Sequence, residues 1–277
     1  MLEYPWQVDG TVTRVLEAGG EGVPAVLLHG VGARADRWRA NIETLADAGL
    51  HVYAIDLPGH GFAAKGAGFD DYSVSGYARF LDRFLRSVTV EEAVLIGTSL
   101  GGHIAATFMC QHPDRVAAVV MVGTLGLVPL GEDACDRLAA SLSDTSEAGI
   151  RAKLARVIHD PVLVTDEWVT AEARINSSPG ASESFAALGA YFRERSDQDV
   201  VADCLIALES PPGMLLVWGR EDEIVPRTIG EQAQQLLGGR AVLRTIESTG
   251  HAPYLESPAE FNEIVTSFLQ AANVLPA

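Results

Sequence analysis

Short, almost wholly apolar runs closed by turn residues alternate with amphipathic stretches through the first 127 residues, and this alternation constrains the fold most. The runs are 25–29 (AVLLH), 52–55 (VYAI), 93–96 (AVLI) and 116–122 (VAAVVMV). A strand that is apolar at nearly every position must be buried on both faces, as in a parallel sheet covered by helices. Helix-like stretches at about 36–48, 74–88 and 99–111 supply those covers, and 11–16 reads as an edge strand. The alternation predicts an α/β fold with a mostly parallel sheet. After Gly123 the pattern breaks: residues 129–209 are helical in character, with charged faces and punctuation at Pro161, Pro179 and Gly180. Strand signals return at 214–218 (MLLVW) and 241–246 (AVLRTI), before a last helix at 258–271. The expected organisation is a core of residues 1–128 and 210–277 with a helical cap inserted at 129–209.

At 277 residues and 48% hydrophobic, the chain can bury a large single core. Its formal charge of −17 repels phosphate backbones and anionic lipid, which leaves nucleic acid and membranes as poor partners and a small molecule as the expected one. A homodimer is left open. Residues 1–10 lack a basic segment followed by an apolar run, so they do not read as a signal peptide. No apolar stretch reaches the roughly 18 residues that span a bilayer. Cys110, Cys135 and Cys204 are widely spaced and suggest neither a disulfide framework nor a zinc site, so a reduced, cytoplasmic setting is expected. None lies on a strand-to-helix turn, which argues against a thiol nucleophile.

Chemistry enters at Gly97-Thr98-Ser99-Leu100-Gly101-Gly102, directly after the run AVLI and before a helix. This is G-x-S-x-G in the strand–turn–helix context that a nucleophile elbow requires. The flanking glycines let strand and helix approach, and the helix N-terminus favours negative charge. A serine N-cap beside helix-packing glycines would read similarly in isolation. The preceding strand and Gly102 favour the nucleophile.

A serine hydroxyl needs a base, and in this strand–turn–helix arrangement the order is Ser, acid, His. Of the seven histidines, His103 and His112 lie on or just past the helix after Ser99, and His159 falls in the helical insertion. His251, in Gly250-His251-Ala252-Pro253 after the last strand, is the candidate base. The acid should follow the strand MLLVW, where Glu221, Asp222 and Glu223 stand in a row before Pro226. Asp222 is favoured, with Glu221 and Glu223 left open. The loop after AVLLH, His29-Gly30-Val31-Gly32-Ala33, offers the Val31 amide as one oxyanion donor, and Leu100 offers the other. The same loop mimics a dinucleotide fingerprint, Gly30-x-Gly32-x-x-Ala35 with Asp56 at the next strand end. Asp56 is followed by the turn-rich Leu57-Pro58-Gly59-His60-Gly61, so Asp56 and His60 read as stiffeners of that loop.

The ordered set LLHG, DLPGHG, GTSLGG, WGREDEIVP and GHAPYLE resembles the α/β-hydrolase family along nearly the whole chain. The resemblance implies an eight-stranded sheet, a helical cap between the sixth and seventh strands, a triad of Ser99, Asp222 and His251, and no cofactor. Epoxide hydrolases and haloalkane dehalogenases of this type carry aspartate at the elbow, which Ser99 argues against. Residues 163–167 (LVTDE) and 178–180 (SPG) are similar to hydrolases of meta-cleavage products, which cut carbon–carbon bonds. The chain departs from them in the loop Val31-Gly32-Ala33-Arg34 and at Ala252, where tryptophan often follows the histidine. Their cap arginine for a substrate carboxylate falls near Glu172 here, with Arg174 two places along as the candidate. Trp168, Phe185, Tyr191 and Phe192 give the insertion an apolar character and read as its core. The expected function is hydrolysis of a small carboxylic ester through an acyl-enzyme. Carbon–carbon hydrolysis and a ligand receptor without turnover are the alternatives.

Overall fold

The computed structural model describes residues 1–276, so only the last position of the 210–277 assignment lies outside it. The strands are β1 (Leu2–Val8), β2 (Thr11–Ala18), β3 (Val23–Leu28), β4 (Leu50–Ile55), β5 (Ala93–Thr98), β6 (Val116–Val122), β7 (Gly213–Gly219) and β8 (Ala241–Ile246). They form one eight-stranded sheet in the order β1-β2-β4-β3-β5-β6-β7-β8. The pairs β1·β2 and β2·β4 are antiparallel and every other pair is parallel. β5 is buried at all six positions between β3 and β6, as its unbroken apolar run requires.

Helices α1 (Arg39–Asp47), α2 (Val74–Ser87), α3 (Leu100–Gln111), α9 (Arg227–Leu237), α10 (Pro253–Glu256) and α11 (Pro258–Ala271) accompany the sheet. Between β6 and β7 lie α4 (Glu132–Ala140), α5 (Glu147–Val157), α6 (Asp166–Asn176), α7 (Ala181–Glu194) and α8 (Ala202–Ala207). Buried side chains divide into two large clusters, one built around Phe80, Phe84 and Phe108, the other around Trp38, Tyr254 and Phe261. α2 shows how the sequence forms such a cover: the Ser73 hydroxyl accepts from Gly76 N at 3.1 Å, and Tyr77, Phe80, Leu81, Phe84 and Leu85 recur at helical spacing on the buried face. Among the described residues no helix is long and apolar enough to cross a membrane.

Two expectations are corrected. The segment 11–16 is not the edge strand, because β1 lies outside it. β1 and β2 are joined by Asp9-Gly10, both at positive φ (46° and 86°), the conformation that a tight hairpin demands. Pro5 breaks the strand signature of β1, and only an edge strand tolerates it. Cys110 and Cys204 are disulfide-bonded, while Cys135 is free and buried. Their separation of 94 residues hides the pairing in the sequence, and the fold brings α8 against α3.

The turn between β5 and α3 depends on missing side chains. A Cβ on Gly97 would overlap the Gly101 carbonyl, and one on Gly101 would overlap the Leu28 carbonyl. Both obstacles are backbone, which cannot swing aside. Gly97→Ala is therefore expected to destabilise the protein by at least about 2 kcal/mol, read as a lowered urea midpoint.

Candidate active site

Every element of the site hangs from the carboxyl end of a strand. After β5, Ser99 adopts φ 55° and ψ −117°, a strained geometry for a residue with a side chain. It is held there by Ser99 N donating to Val122 O at 2.9 Å and by His103 N donating to Ser99 O at 3.1 Å. After β7, the Asp222 carboxylate caps its own turn: Oδ1 accepts from Ile224 N at 2.8 Å and from Val225 N at 2.9 Å. Its Oδ2 lies 2.8 Å from His251 Nδ1. An ionised carboxylate only accepts, so Nδ1 carries the proton and Nε2 of the neutral ring keeps a free lone pair.

The His251 loop is fixed from two sides. His251 N donates to Val157 O at 2.8 Å. Glu256 Oε1 accepts from Gly250 N at 2.7 Å, while Oε2 accepts from His159 N at 2.7 Å and Asp160 N at 3.1 Å. Gly123, after β6, makes room for the acid–imidazole pair, since a Cβ there would lie 3.0 Å from both Asp222 Oδ2 and His251 Nδ1. Of the neighbouring acids, Glu221 accepts from Thr249 N at 3.1 Å, and Glu223 is exposed. Neither is hydrogen-bonded to the ring.

Ser99 and His251 line one cavity of about 260 Å³, together with Gly30, Val31, Thr98 and Tyr254. No hydrogen bond joins Ser99 to His251, and such catalytic hydrogen bonds commonly tighten only when substrate is in place. The Gly30–Val31 peptide is clamped from its carbonyl side, with Gly30 O 2.8 Å from His29 Nδ1 and accepting from Ala33 N at 3.3 Å. Leu57 N donates to His29 Nε2 at 2.9 Å, which fixes the tautomer with its proton on Nδ1. Neither Val31 N–H nor Leu100 N–H donates to any turn or loop carbonyl of the described residues, so both remain available.

Asp56 is fully engaged in holding loops, accepting from Arg14 Nε at 3.0 Å, Ala35 N at 2.7 Å and Phe62 N at 2.8 Å. It has nothing left for a ribose, and the fingerprint resemblance ends there. Phe185, Tyr191 and Phe192 are buried, and none of these three nor Trp168 lines the cavity at Ser99. Arg174 is exposed on α6, without a partner among the described residues, and does not line the cavity either. The residue expected to hold a substrate carboxylate is thus not brought to the site, because it points from the solvent face of its helix.

Sequence reasoning missed the cations that are present. Arg37, Arg137, Lys153 and Arg156 all line the cavity. Lys153 Nζ lies 2.7 Å from Glu172 Oε1, and Arg37 donates to Glu172 Oε2 at 2.6 Å. Burial alone would raise the Glu172 carboxyl, but the Arg37 and Lys153 charges hold it down at about 2. Among the described residues Arg137 and Arg156 make no ion pair, although the chain carries 37 acids. Spacing could not reveal them, since Arg37 sits in the turn Ala35–Trp38 and the other three on α4 and α5, and these elements meet at the cavity only once folded. Among the described residues no cluster of three or more His, Cys, Asp or Glu could hold a metal ion.

Residues 24–258 match the α/β hydrolase fold family. The chain belongs to that family and is a hydrolase. It is 27% identical to 2-hydroxymuconate semialdehyde hydrolase of Pseudomonas putida over 260 residues, covering 92% of this chain and 90% of that one. It is 29% identical to the dihydrolipoyllysine-residue acetyltransferase component of the acetoin cleaving system of Cupriavidus necator, covering 95% of this chain and 67% of that one. Among solved structures it is similar to a meta-cleavage product hydrolase from Pseudomonas fluorescens IP01, with a TM-score of 0.85, 26% identity and 98% coverage of both chains.

Burial lowers the affinity of His29 and His60 for protons, to about 4 and about 3 from an ordinary 6.5. The unfolded chain binds those protons first as pH falls below 6.5, so the folded state loses stability from there down to about pH 4 and below. Urea midpoints measured from pH 7 to pH 4 should decline. In His60→Gln the decline should be shallower.

Proposed function

We propose that the protein is a serine hydrolase that cleaves a small carboxylic ester through an acyl-enzyme. The observation that carries this reading is the hydrogen-bonded Asp222–His251 pair at the same cavity as the strained Ser99. In this mechanism Ser99 Oγ bonds to the ester carbonyl carbon while His251 Nε2 takes its proton. The carbonyl oxygen becomes an oxyanion held by the Val31 and Leu100 amides. The carbon–oxygen bond to the leaving group then breaks, and the alkoxide leaves with the proton from His251. Water, deprotonated by His251, attacks the acyl carbon and releases the acid and free Ser99. Asp222 keeps the ring in its tautomer and stabilises the imidazolium without taking the proton. The helices between β6 and β7 act as a cap whose α4 and α5 close the cavity over Ser99.

Turnover of short p-nitrophenyl esters tests the reading. Ser99→Ala should lose at least about 10³-fold in kcat, and Asp222→Asn on the order of 10³-fold or more. Ester turnover that survives Ser99→Ala would overturn it, as would capture of ester in stoichiometric amount without turnover.

A second reading has its own support. Arg137 and Arg156 line the cavity and pair with no carboxylate among the described residues, which suits an anionic substrate even with Glu223 on the same lining, and relatives include hydrolases of meta-cleavage products. Under it the enzyme splits a carbon–carbon bond in an acidic ring-fission product. The yellow dienolate colour should then fade rapidly, with simple esters processed poorly. Arg137→Ala with Arg156→Ala should raise KM for the acidic substrate about tenfold or more and leave KM for a neutral ester unchanged. An equal rise for both would remove the arginines from anion recognition.

A further inference from the structure

The loop that carries Val31 is gripped from the side opposite the sheet. Gly32 O accepts from Lys153 Nζ of α5 at 3.1 Å and from Asn176 Nδ2 of α6 at 3.1 Å. Both donors reach across from the helices between β6 and β7, over 121 and 144 residues of sequence. Gly32 has φ +63°, a conformation that favours glycine, and a Cβ there would lie 3.0 Å from the flexible tip of Lys153.

Lys153 is itself held by Glu172, which is 1% exposed and takes the ammonium at 2.7 Å on Oε1. On Oε2 the same carboxylate accepts from Arg37 at 2.6 Å and from Trp168 Nε1 at 3.0 Å. Arg37 belongs to the turn just past the loop, and its guanidinium lies 4.1 Å from the Trp168 ring centre. The helices therefore seize the loop at Gly32 and again at Arg37, and one buried carboxylate joins the two grips. The sheet side fixes the carbonyl before Val31, through His29 and Ala33, and the end of the loop, through Asp56 and Ala35 N. Gly32 O, at the far end of the turn from Gly30, depends on Lys153 and Asn176.

We propose that Lys153 and Asn176, anchored by Glu172, are positioning residues that aim the Val31 amide, so that oxyanion binding is complete only when the helices between β6 and β7 are seated on the sheet. This rests on the reading of Ser99 as nucleophile and Val31 as oxyanion donor. The buried charges act through geometry: without the helices Gly32 O loses both donors, and the turn stays restrained only at Gly30 O. Lys153 also lines the cavity, so direct contact with substrate is the competing role, and kinetics separate the two. A positioning residue changes kcat and the affinity of a tetrahedral mimic together, whereas a substrate contact changes KM.

The test uses Lys153→Met, Lys153→Arg and Asn176→Ala on the full chain, with p-nitrophenyl ester turnover and binding of an alkyl boronic acid that forms a tetrahedral adduct on Ser99. Asn176→Ala leaves the Glu172 ion cluster whole and so guards against a simple folding defect. Lys153→Met and Asn176→Ala should each lower kcat about tenfold, less than the hundredfold or more that follows loss of a whole oxyanion donor. Boronate affinity should fall by the same factor and KM should stay within about twofold. Lys153→Arg should recover most of the loss, and Arg174→Ala, on the solvent face of α6, should match the parent. A loss confined to KM, or a fall in kcat with boronate affinity unchanged, would refute the positioning role. With Ser99→Ala inactive, parent-like kcat in Asn176→Ala and Lys153→Met refutes this inference alone. Ester turnover by Ser99→Ala would instead remove the serine mechanism and this inference with it.

Discussion

Parallel pairing of β3, β5, β6, β7 and β8 sends the carboxyl ends of five strands to one rim of the sheet, and the site is assembled from what each strand releases there. β3 delivers Val31, β5 delivers Ser99, β6 the open space at Gly123, β7 Asp222, and the loop after β8 His251. Strands in register cannot slide independently without breaking their ladders, so the separations among these groups are as rigid as the sheet. Close approach is then bought with absent side chains. Gly97 and Gly101 let β5, α3 and the end of β3 meet backbone to backbone, and Gly123 leaves room for the imidazole against its carboxylate.

Charge plays a different part inside than on the surface. The chain carries a formal −17, and its inward-facing ionic groups are organised as small clusters in which one charge is shared by two or more opposite ones. Asp56 and Asp36 both hold Arg14, and Glu172 holds Arg37 and Lys153. Removing one member of such a buried group leaves an uncompensated charge, so these clusters fix loop geometry more than they add net stability. The loop between β3 and α1 lies between two of them, with Asp56 receiving Ala35 N on one side and Lys153 reaching Gly32 on the other. A loop rich in glycine would otherwise be the least ordered part of the rim.

Much of this was legible in the chain. Six of the eight strands follow from short apolar runs, most of them because burial on both faces writes itself into consecutive residues, and β2 was read as a strand at the edge. β1 escaped because an edge strand alternates and Pro5 interrupts its pattern, although Asp9-Gly10 marked the hairpin. Ser99 was visible because an elbow needs small neighbours on both sides in sequence. Asp222 and His251 followed from their places after the last two strands, and the structure sets them 2.8 Å apart. Arg174 failed as a site residue because helical spacing says which residues share a face, not which face meets the cavity.

The sequence by itself determined the layered α/β architecture, the elbow and the strand ends from which the active residues come. These features obey local rules: hydrophobic period, steric limits at glycine, and the order of strands. Only the tertiary structure decided the joining of Cys110 to Cys204, the four cations at the cavity and the grip of Lys153 and Asn176 on Gly32. Those contacts span roughly 90 to 145 residues of chain, and nothing in a residue's near neighbours encodes a partner that far away.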